Sequence, residues 1–129
     1  YEKTFFSLVS ESHFIEDSLF LSEKIWKAIA NRHPFILVGS YKTLDYLHKE
    51  GFKTFHPFID ESYDKEKHPY KRVSKIMKEV NKLCLMDQSE MKKFLSKIDD
   101  IIEYNYDKLI NDHYNVDRTF KELEAITNA

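Results

Sequence analysis

Short apolar runs and helical apolar stripes alternate along the first half of the chain. Thr4–Val9 is rich in β-branched and aromatic residues, and Phe35–Val38 is an uninterrupted apolar run that ends at Gly39. Both runs predict strands, and the second is typical of a strand buried on both faces of a parallel sheet. The alternating apolar and polar residues of 52–55 predict a third strand, nearer the edge of the sheet.

Helices are predicted between these strands. Ser22 is a suitable N-cap, with the carboxylate of Glu23 in the first turn, and this helix is expected to end over 31–33, just before a proline. Ser40 is expected to cap a second helix, with Gly51 as its C′ glycine. The resulting β-α-β-α-β order implies right-handed crossovers and a parallel sheet.

The second half of the chain has helical periodicity throughout. Pro69 can occupy a first turn, and Asp87 with Glu90 forms a capping box for a long amphipathic helix. Asp117 is expected to cap a separate last helix. Apolar residues recur at steps of three and four after the proline, predicting a buried stripe of Val73, Ile76, Met77, Val80, Leu83 and Cys84.

The predicted fold class is therefore α/β. We expect a Rossmann-like parallel sheet of three to four strands with a helical C-terminal extension. Residues 1–86 would form the Rossmann-like half-domain, and the helices of 87–129 would pack on that same domain. The 129 residues carry 20 Lys and Arg against 22 Asp and Glu, and 42% are hydrophobic. This composition excludes disorder, a membrane span and the strongly basic surface of a general nucleic-acid binder.

A few residue counts narrow the chemistry further. The chain has two glycines, which excludes a Gly-rich phosphate loop, so a bound nucleotide must be held by side chains and helix ends. The single cysteine, Cys84, lies in an apolar run and is expected to be a buried structural thiol in a reducing, cytoplasmic compartment. Because the sequence begins at Tyr1 rather than Met, we expect a fragment or a processed chain.

Ligands of parallel α/β sheets bind beyond the carboxyl ends of the strands. Ser10–Ser12 and the helix start Ser22–Lys24 are expected at that edge after the first strand, and Gly39–Tyr41 after the second. Lys24 and the N–H groups of the helix start can bind a phosphate, and Glu23 can accept both hydroxyls of a ribose. The alternative is that Ser22 and Glu23 are only a helix cap and that Lys24 is solvated.

These residues resemble a known donor-binding region. Phe20–Trp26, preceded by Ser10–Ser12 and followed by Pro34–Gly39, resembles the α1,3-fucosyltransferase stretch aromatic-Val-Thr-Glu-Lys-Leu-Trp, which lies between Glu-Asn-Ser and Pro-Val-Val-Leu-Gly. That likeness spans about 30 residues. The chain also carries Glu-Lys-x-x-Lys-x-Ile at 23–29, His-Pro-Phe-Ile at 33–36, Gly-Phe-x-Thr-Phe at 51–55 and Asp-Glu-Ser-Tyr-Asp at 60–64. On this series it resembles, over about residues 5–110, the C-terminal part of uncharacterised GT-B glycosyltransferase-like proteins from tailed phages and aquatic bacteria.

The resemblance implies the donor-binding half of an inverting glycosyltransferase, which transfers a sugar from a nucleotide-sugar donor to a glycan or other acceptor. It implies that Glu23 binds the donor ribose and Lys24 the diphosphate, with no metal or other cofactor. Phe20 stands where the family has a nucleotide-contacting tyrosine. The family's catalytic base and acceptor site come largely from an N-terminal domain, which we expect to lie outside these 129 residues. The candidate nucleotide-binding residues are Glu11, Ser12, Phe20, Ser22, Glu23 and Lys24.

Other readings stay open. The chain can instead be a non-catalytic α/β binding or assembly module, for instance of a phage particle. The acidic cluster 60–64 can bind a cation or an acceptor, or it can cap a helix. The six histidines lack metal-ligand spacing, and His33 is expected to serve the turn before Pro34. The aromatic residues of the tail form a partner-binding face or pack on their own domain: Tyr104, Tyr106, Tyr114 and Phe120.

Overall fold

The computed structural model describes residues 3–15, 19 and 21–128, and of 114–116 and 118–120 it describes the backbone alone. The chain is α/β, with a small parallel sheet and helices that take up most of its length. In chain order the elements are β1 (Ser7–Ser10), α1 (Glu23–Ala30), β2 (Phe35–Val38), α2 (Thr43–Lys49), a 3₁₀ helix (Ser62–Lys65), α3 (Pro69–Cys84) and α4 (Gln88–Thr127).

The sheet confirms the parallel pairing predicted for the first two strands. Its register pairs Ser7 with Phe35 and Ser10 with Val38, and α1 forms the crossover between the strands. The first three residues of β2 are at most 3% exposed, whereas Leu8 on β1 is 48% exposed. The apolar run of β2 therefore lies at the centre of the core, and β1 lies at its margin.

The predicted third strand over 52–55 is not formed. Lys53 N donates to Asn105 Oδ1, and Asn105 Nδ2 donates to Lys53 O, each at 2.8 Å. Phe55 N donates to Glu61 Oε1 at 2.6 Å. Side chains from elsewhere in the chain thus satisfy backbone groups that a neighbouring strand would otherwise pair with. In the described part of the chain the sheet has two strands rather than three or four.

The start of α2 also differs from the prediction, because Ser40 is not its N-cap. The helix begins after Lys42, which has φ 63° and makes no capping bond with its side chain. Leu44 N and Asp45 N donate instead to the two carboxylate oxygens of Asp64, at 2.8 and 3.1 Å. A distant carboxylate therefore satisfies the N–H groups at this helix end, where its negative charge also suits the helix dipole.

The other end of α2 confirms Gly51 as its C′ glycine. Gly51 has φ 88°, its N–H donates to His48 O at 2.9 Å, and Phe52 N donates to Leu47 O at 3.2 Å. This pair of bonds is the Schellman motif, which requires a left-handed residue at C′. A Cβ at Gly51 would also lie 2.7 Å from Lys108 Cε.

The two long helices follow their predicted starts but not all of their predicted details. Pro69 opens α3, and the capping box of Asp87 and Glu90 opens α4, as predicted. Cys84 is exposed, so the prediction of a buried thiol is wrong. Helix α4 is continuous through Asp117, which pairs with Lys121 at 2.9 Å and caps no separate helix.

The buried stripe of α3 is rotated from the predicted one. Val73 and Met77 are 37% and 42% exposed, and the buried positions are Arg72, Ile76, Glu79 and Leu83. Apolar residues of the first turns of α4 join the same core as the sheet. The boundary between 1–86 and 87–129 stays a prediction. In the described part of the chain no helix is both long and apolar enough to span a bilayer.

Candidate functional site

The carboxyl end of β1 and the start of α1 lie against each other. Glu11, immediately after β1, is 4% exposed, and both of its carboxylate oxygens accept from Ser22 N at 3.2 Å. Lys24 Nζ donates to Ser10 O at 3.0 Å. The fold therefore brings together residues that are 11 to 14 positions apart in sequence.

The helix start itself is built as predicted. Ser22 is the N-cap of α1, and its hydroxyl accepts from Lys24 N at 3.3 Å. The side chains of Glu23, Lys24 and Ser12 are exposed, and Phe20 lies outside the described residues. The sheet edge therefore presents a carboxylate and an ammonium group from adjacent positions of one helix turn. Their nucleotide-binding roles stay predictions.

Glu11 has a structural task at this helix start. Its buried carboxylate accepts the hydrogen bond of the Ser22 N–H, which could otherwise donate to an anionic ligand. The bond also ties β1 to α1 across the loop between them. A phosphate at this edge would depend on the side chain of Lys24 more than on the N–H of Ser22. We therefore regard Glu11 as a residue that positions the helix start.

Arg72 of α3 joins three segments at the same edge. The residue is 2% exposed, and its Nε donates to Gly39 O at 3.0 Å. Its Nη1 donates to Glu66 O and Lys67 O at 2.8 and 3.2 Å, and its Nη2 donates to Phe14 O. The guanidinium also lies 4.4 Å from the centroid of the Phe14 ring. One side chain thus holds together the loops that follow β1 and β2 and the segment before α3.

Arg72 is not among the predicted site residues, although the sequence contains a signal for it. Arg72 precedes Ile76 by one helical turn and so continues the buried stripe of α3 toward its N-terminus. A charged residue on the apolar face of a helix is rarely buried unless it is fully hydrogen-bonded. Its position in the stripe marks it as a residue with buried partners, but the partners themselves are set by the tertiary structure.

The segment after β2 contributes a second part of this edge. Ser40 is 4% exposed, while the ring of Tyr41 is half-buried. A Cβ at Gly39 would lie 2.9 Å from Thr43 Oγ1, so the glycine permits the close approach of this turn to α2. Tyr41 is therefore the first large side chain beyond the carboxyl end of β2.

The acidic cluster 60–64 lines a groove of about 420 Å³ beside α2. Its carboxylates bind the protein itself: Asp64 caps α2, Asp60 accepts from Ser62 N at 3.0 Å, and Glu61 accepts from Thr54 Oγ1 at 2.5 Å. The helix-capping interpretation is thus confirmed for Asp64, which caps α2. Among the described residues no group of three or more His, Cys, Asp or Glu side chains is arranged to hold a metal ion.

Burial dominates the electrostatics of this cluster. It raises the pKa of Glu61, although the hydrogen bonds from Thr54 and Phe55 act in the opposite direction. Burial likewise raises the pKa of Asp64 against the bonds from Leu44 and Asp45. Both carboxyl groups are therefore easier to protonate in the folded chain than in the unfolded one.

The remaining candidates contact other parts of the chain where they are described. His33 is buried, and its Nε2 lies 2.8 Å from Thr4 O, as suits a residue that fixes the turn before Pro34. The Tyr106 ring lies 3.6 Å from the guanidinium carbon of Arg32. Tyr104 and Tyr106 both contact their own domain, the former through a 2.9 Å bond to a backbone carbonyl. The side chains of Tyr114 and Phe120 lie outside the described residues.

Comparisons of the chain with protein-family models, curated proteins and solved structures found no match.

Proposed function

We propose that this chain is the donor-nucleotide-binding portion of an inverting nucleotide-sugar glycosyltransferase of the fucosyltransferase-like kind. The observation that supports the proposal is the exposed pair Glu23 and Lys24 at the carboxyl edge of a parallel sheet, with Lys24 Nζ 3.0 Å from the carbonyl oxygen that ends β1. In α/β proteins this edge is where ligands bind.

The two side chains suit the two polar parts of a nucleoside diphosphate. The carboxylate of Glu23 can accept hydrogen bonds from both ribose hydroxyls. The ammonium group of Lys24 can pair with the diphosphate and stabilise the charge that grows as the glycosyl bond breaks. Both side chains are exposed, so neither needs a rearrangement of the core to reach a ligand.

The proposal includes a larger, Rossmann-like sheet of which β1 and β2 are two strands. Parallel sheets are usually covered on both faces, yet Leu8 on β1 is 48% exposed. We propose that further strands pair with β1, that another layer of the complete enzyme covers the exposed side chain of Leu8, and that the catalytic base comes from an N-terminal domain.

The experiment is calorimetric titration of the chain with GDP, UDP and CDP. We expect at least one of them to bind, and we expect Glu23→Ala and Lys24→Ala each to weaken that binding about tenfold, the loss of one charge-assisted contact. Matched controls are Lys27→Ala, an exposed lysine on the same helix, and Glu50→Ala, an exposed glutamate at the end of α2.

The outcomes separate the class of protein from the residues. If none of the three nucleotides binds the wild-type chain, the donor-site proposal is refuted. If a nucleotide binds and the Glu23 and Lys24 variants behave like the two controls, the residue assignment is wrong. Unchanged thermal unfolding of each variant excludes a general loss of structure as the cause.

The second candidate is a non-catalytic binding or assembly module. It is favoured by the carboxylate of Glu11, which already occupies the N–H of Ser22 at the helix start. If the chain is such a module, its own side chains occupy the hydrogen-bonding groups at this edge, and we expect none of the three nucleotides to bind.

A further inference from the structure

Two lysine ammonium groups lie near the half-buried ring of Tyr41, just beyond β2. Lys42 Nζ is 5.3 Å and Lys67 Nζ is 5.6 Å from the centroid of the Tyr41 ring. Both distances are within the range of a cation–π interaction. Both lysines are exposed, so each ammonium group reaches solvent as well as the ring.

Hydrogen bonds from Arg72 and to Asp64 bring these residues together. Arg72 donates to Gly39 O and Lys67 O, so the segment that carries Lys67 lies beside the turn that carries Tyr41. Lys42 N donates to Asp64 O at 2.8 Å, which fixes the same turn from its other side. The relative position of the ring and the two lysine backbones is therefore set by buried groups.

Neither lysine forms an ion pair in the described part of the chain, and the nearest carboxylates in sequence are already engaged. Asp45 pairs with Lys49 at 3.0 Å, and Glu66 pairs with Lys75 at 3.3 Å. Among the described residues the two ammonium groups beside the ring are therefore not bound by a carboxylate, although the pKa of Asp45 is lowered first by its hydrogen bond with Lys49 and also by the charge of Lys42, which reaches it. An anionic ligand could bind both ammonium groups at little cost, because exposed cation–π contacts are weak.

The ring and the proposed donor site are at the same edge of the sheet. Ser10 O, which accepts from Lys24 Nζ, belongs to the residue paired with Val38, and Tyr41 follows Val38 by three positions. Neighbouring strands are separated by about 4.8 Å. A ligand held by Lys24 can thus extend from the end of β1 toward the end of β2.

We propose that Tyr41, Lys42 and Lys67 form the base and phosphate subsite for a nucleoside diphosphate, with the base stacked on the Tyr41 ring and the two lysines facing its phosphates. This inference rests on the proposed function and extends it to residues beyond Glu23 and Lys24. Stacking of a base on an aromatic ring tolerates different bases, so Tyr41 supplies affinity rather than base identity.

The test uses the tightest of GDP, UDP and CDP, its nucleoside and inorganic pyrophosphate as probes. Tyr41→Ala is expected to weaken the binding of the nucleotide and of the nucleoside about tenfold. Tyr41→Phe, which keeps the ring, is expected to bind both within about twofold of the wild-type affinity. Lys67→Ala is expected to weaken the binding of the nucleotide and of pyrophosphate about threefold and to leave the binding of the nucleoside unchanged.

Two further variants complete the set. Lys42→Asn is expected to behave as Lys67→Ala does, because asparagine tolerates the left-handed backbone at this position. Lys78→Ala, which removes an exposed lysine of α3, is the matched control and is expected to bind all three probes as the wild type does.

Each outcome decides between the two proposals. If no nucleotide binds the wild type, both fail. If Glu23→Ala and Lys24→Ala weaken binding while Tyr41→Ala behaves like Lys78→Ala, this inference fails and the proposed function stands. If Tyr41→Phe loses as much affinity as Tyr41→Ala, the ring is not a stacking surface and the inference is again overturned. If only the Tyr41 and lysine variants weaken binding, the subsite is supported and the assignment of Glu23 and Lys24 fails.

Discussion

Replacing Arg72 with methionine should destabilise the fold severely. The change keeps an unbranched apolar side chain next to the Phe14 ring but removes every donor to the carbonyl oxygens of Gly39, Glu66, Lys67 and Phe14. Because Arg72 is 2% exposed, water cannot replace those bonds without opening the packing around α3.

The magnitude follows from the buried carbonyl oxygens that lose their donor: each costs about 1–3 kcal/mol, and partial relaxation of the four leaves a total of about 3–5 kcal/mol. Domains of this kind have a total free energy of unfolding of about 5–15 kcal/mol. With a urea m-value of about 2 kcal/mol/M, the midpoint of unfolding should fall by about 1.5–2.5 M. Arg72→Lys should lose less, since it keeps the charge but not the planar fork of donors.

Urea unfolding followed by circular dichroism measures this shift. The matched control is Arg32→Met, because Arg32 pairs with Glu103 on the surface and its side chain is 49% exposed. We expect a far smaller midpoint shift for the control, since exposed ion pairs contribute little to stability. Equal shifts for Arg72→Met and Arg32→Met would refute the claim that Arg72 holds the edge loops together.

Three smaller predictions follow from individual side chains. Asp64→Ala removes the carboxylate that caps α2 and should cost about 1–2 kcal/mol in urea unfolding, with Asp64→Asn recovering part of the loss. If the urea midpoint of Asp64→Ala equalled that of the wild type, Asp64 would not stabilise the start of α2 as its cap. Because burial raises the pKa of Glu61 above its ordinary 4.5, the free energy of unfolding should fall as the pH rises from 4.5 through the raised pKa. Glu61→Gln should lessen that fall whereas Glu50→Gln leaves it unchanged, and identical pH profiles for the two variants would contradict the assignment. Cys84 is exposed and should react with a thiol reagent in the native protein nearly as fast as in urea, and strong protection would show that it is covered.

The elements that could be predicted from the sequence are those with local signals. The run Phe35–Val38, the proline at 69 and the capping box of Asp87 and Glu90 each specify their structure through groups within a few residues of one another. Gly51 belongs with them, since the bonds that close α2 span only a single helical turn. These features are largely independent of how the rest of the chain folds.

The errors have a common physical origin, which is a partner far away in the chain. The alternating residues of 52–55 have the pattern of a strand, but Asn105, 52 positions from Lys53, binds both backbone groups of that residue. Ser40 is a reasonable helix cap by type, but Asp64 takes the N–H groups of a helix that begins later. In both cases local preference was overridden by a side chain that the pattern of neighbouring residues cannot reveal.

The candidate site also contains some features that local sequence determines and others that depend on distant partners. The sequence by itself determined the helix start at Ser22, with Glu23 and Lys24 in its first turn, because an N-cap is a local hydrogen-bonding arrangement. Only the tertiary structure decided that Glu11 would be buried against Ser22 and that Arg72 would reach Phe14, 58 positions away. Long-range bonds of this kind depend on which helix faces pack together, and apolar periodicity specifies a face without specifying what it meets.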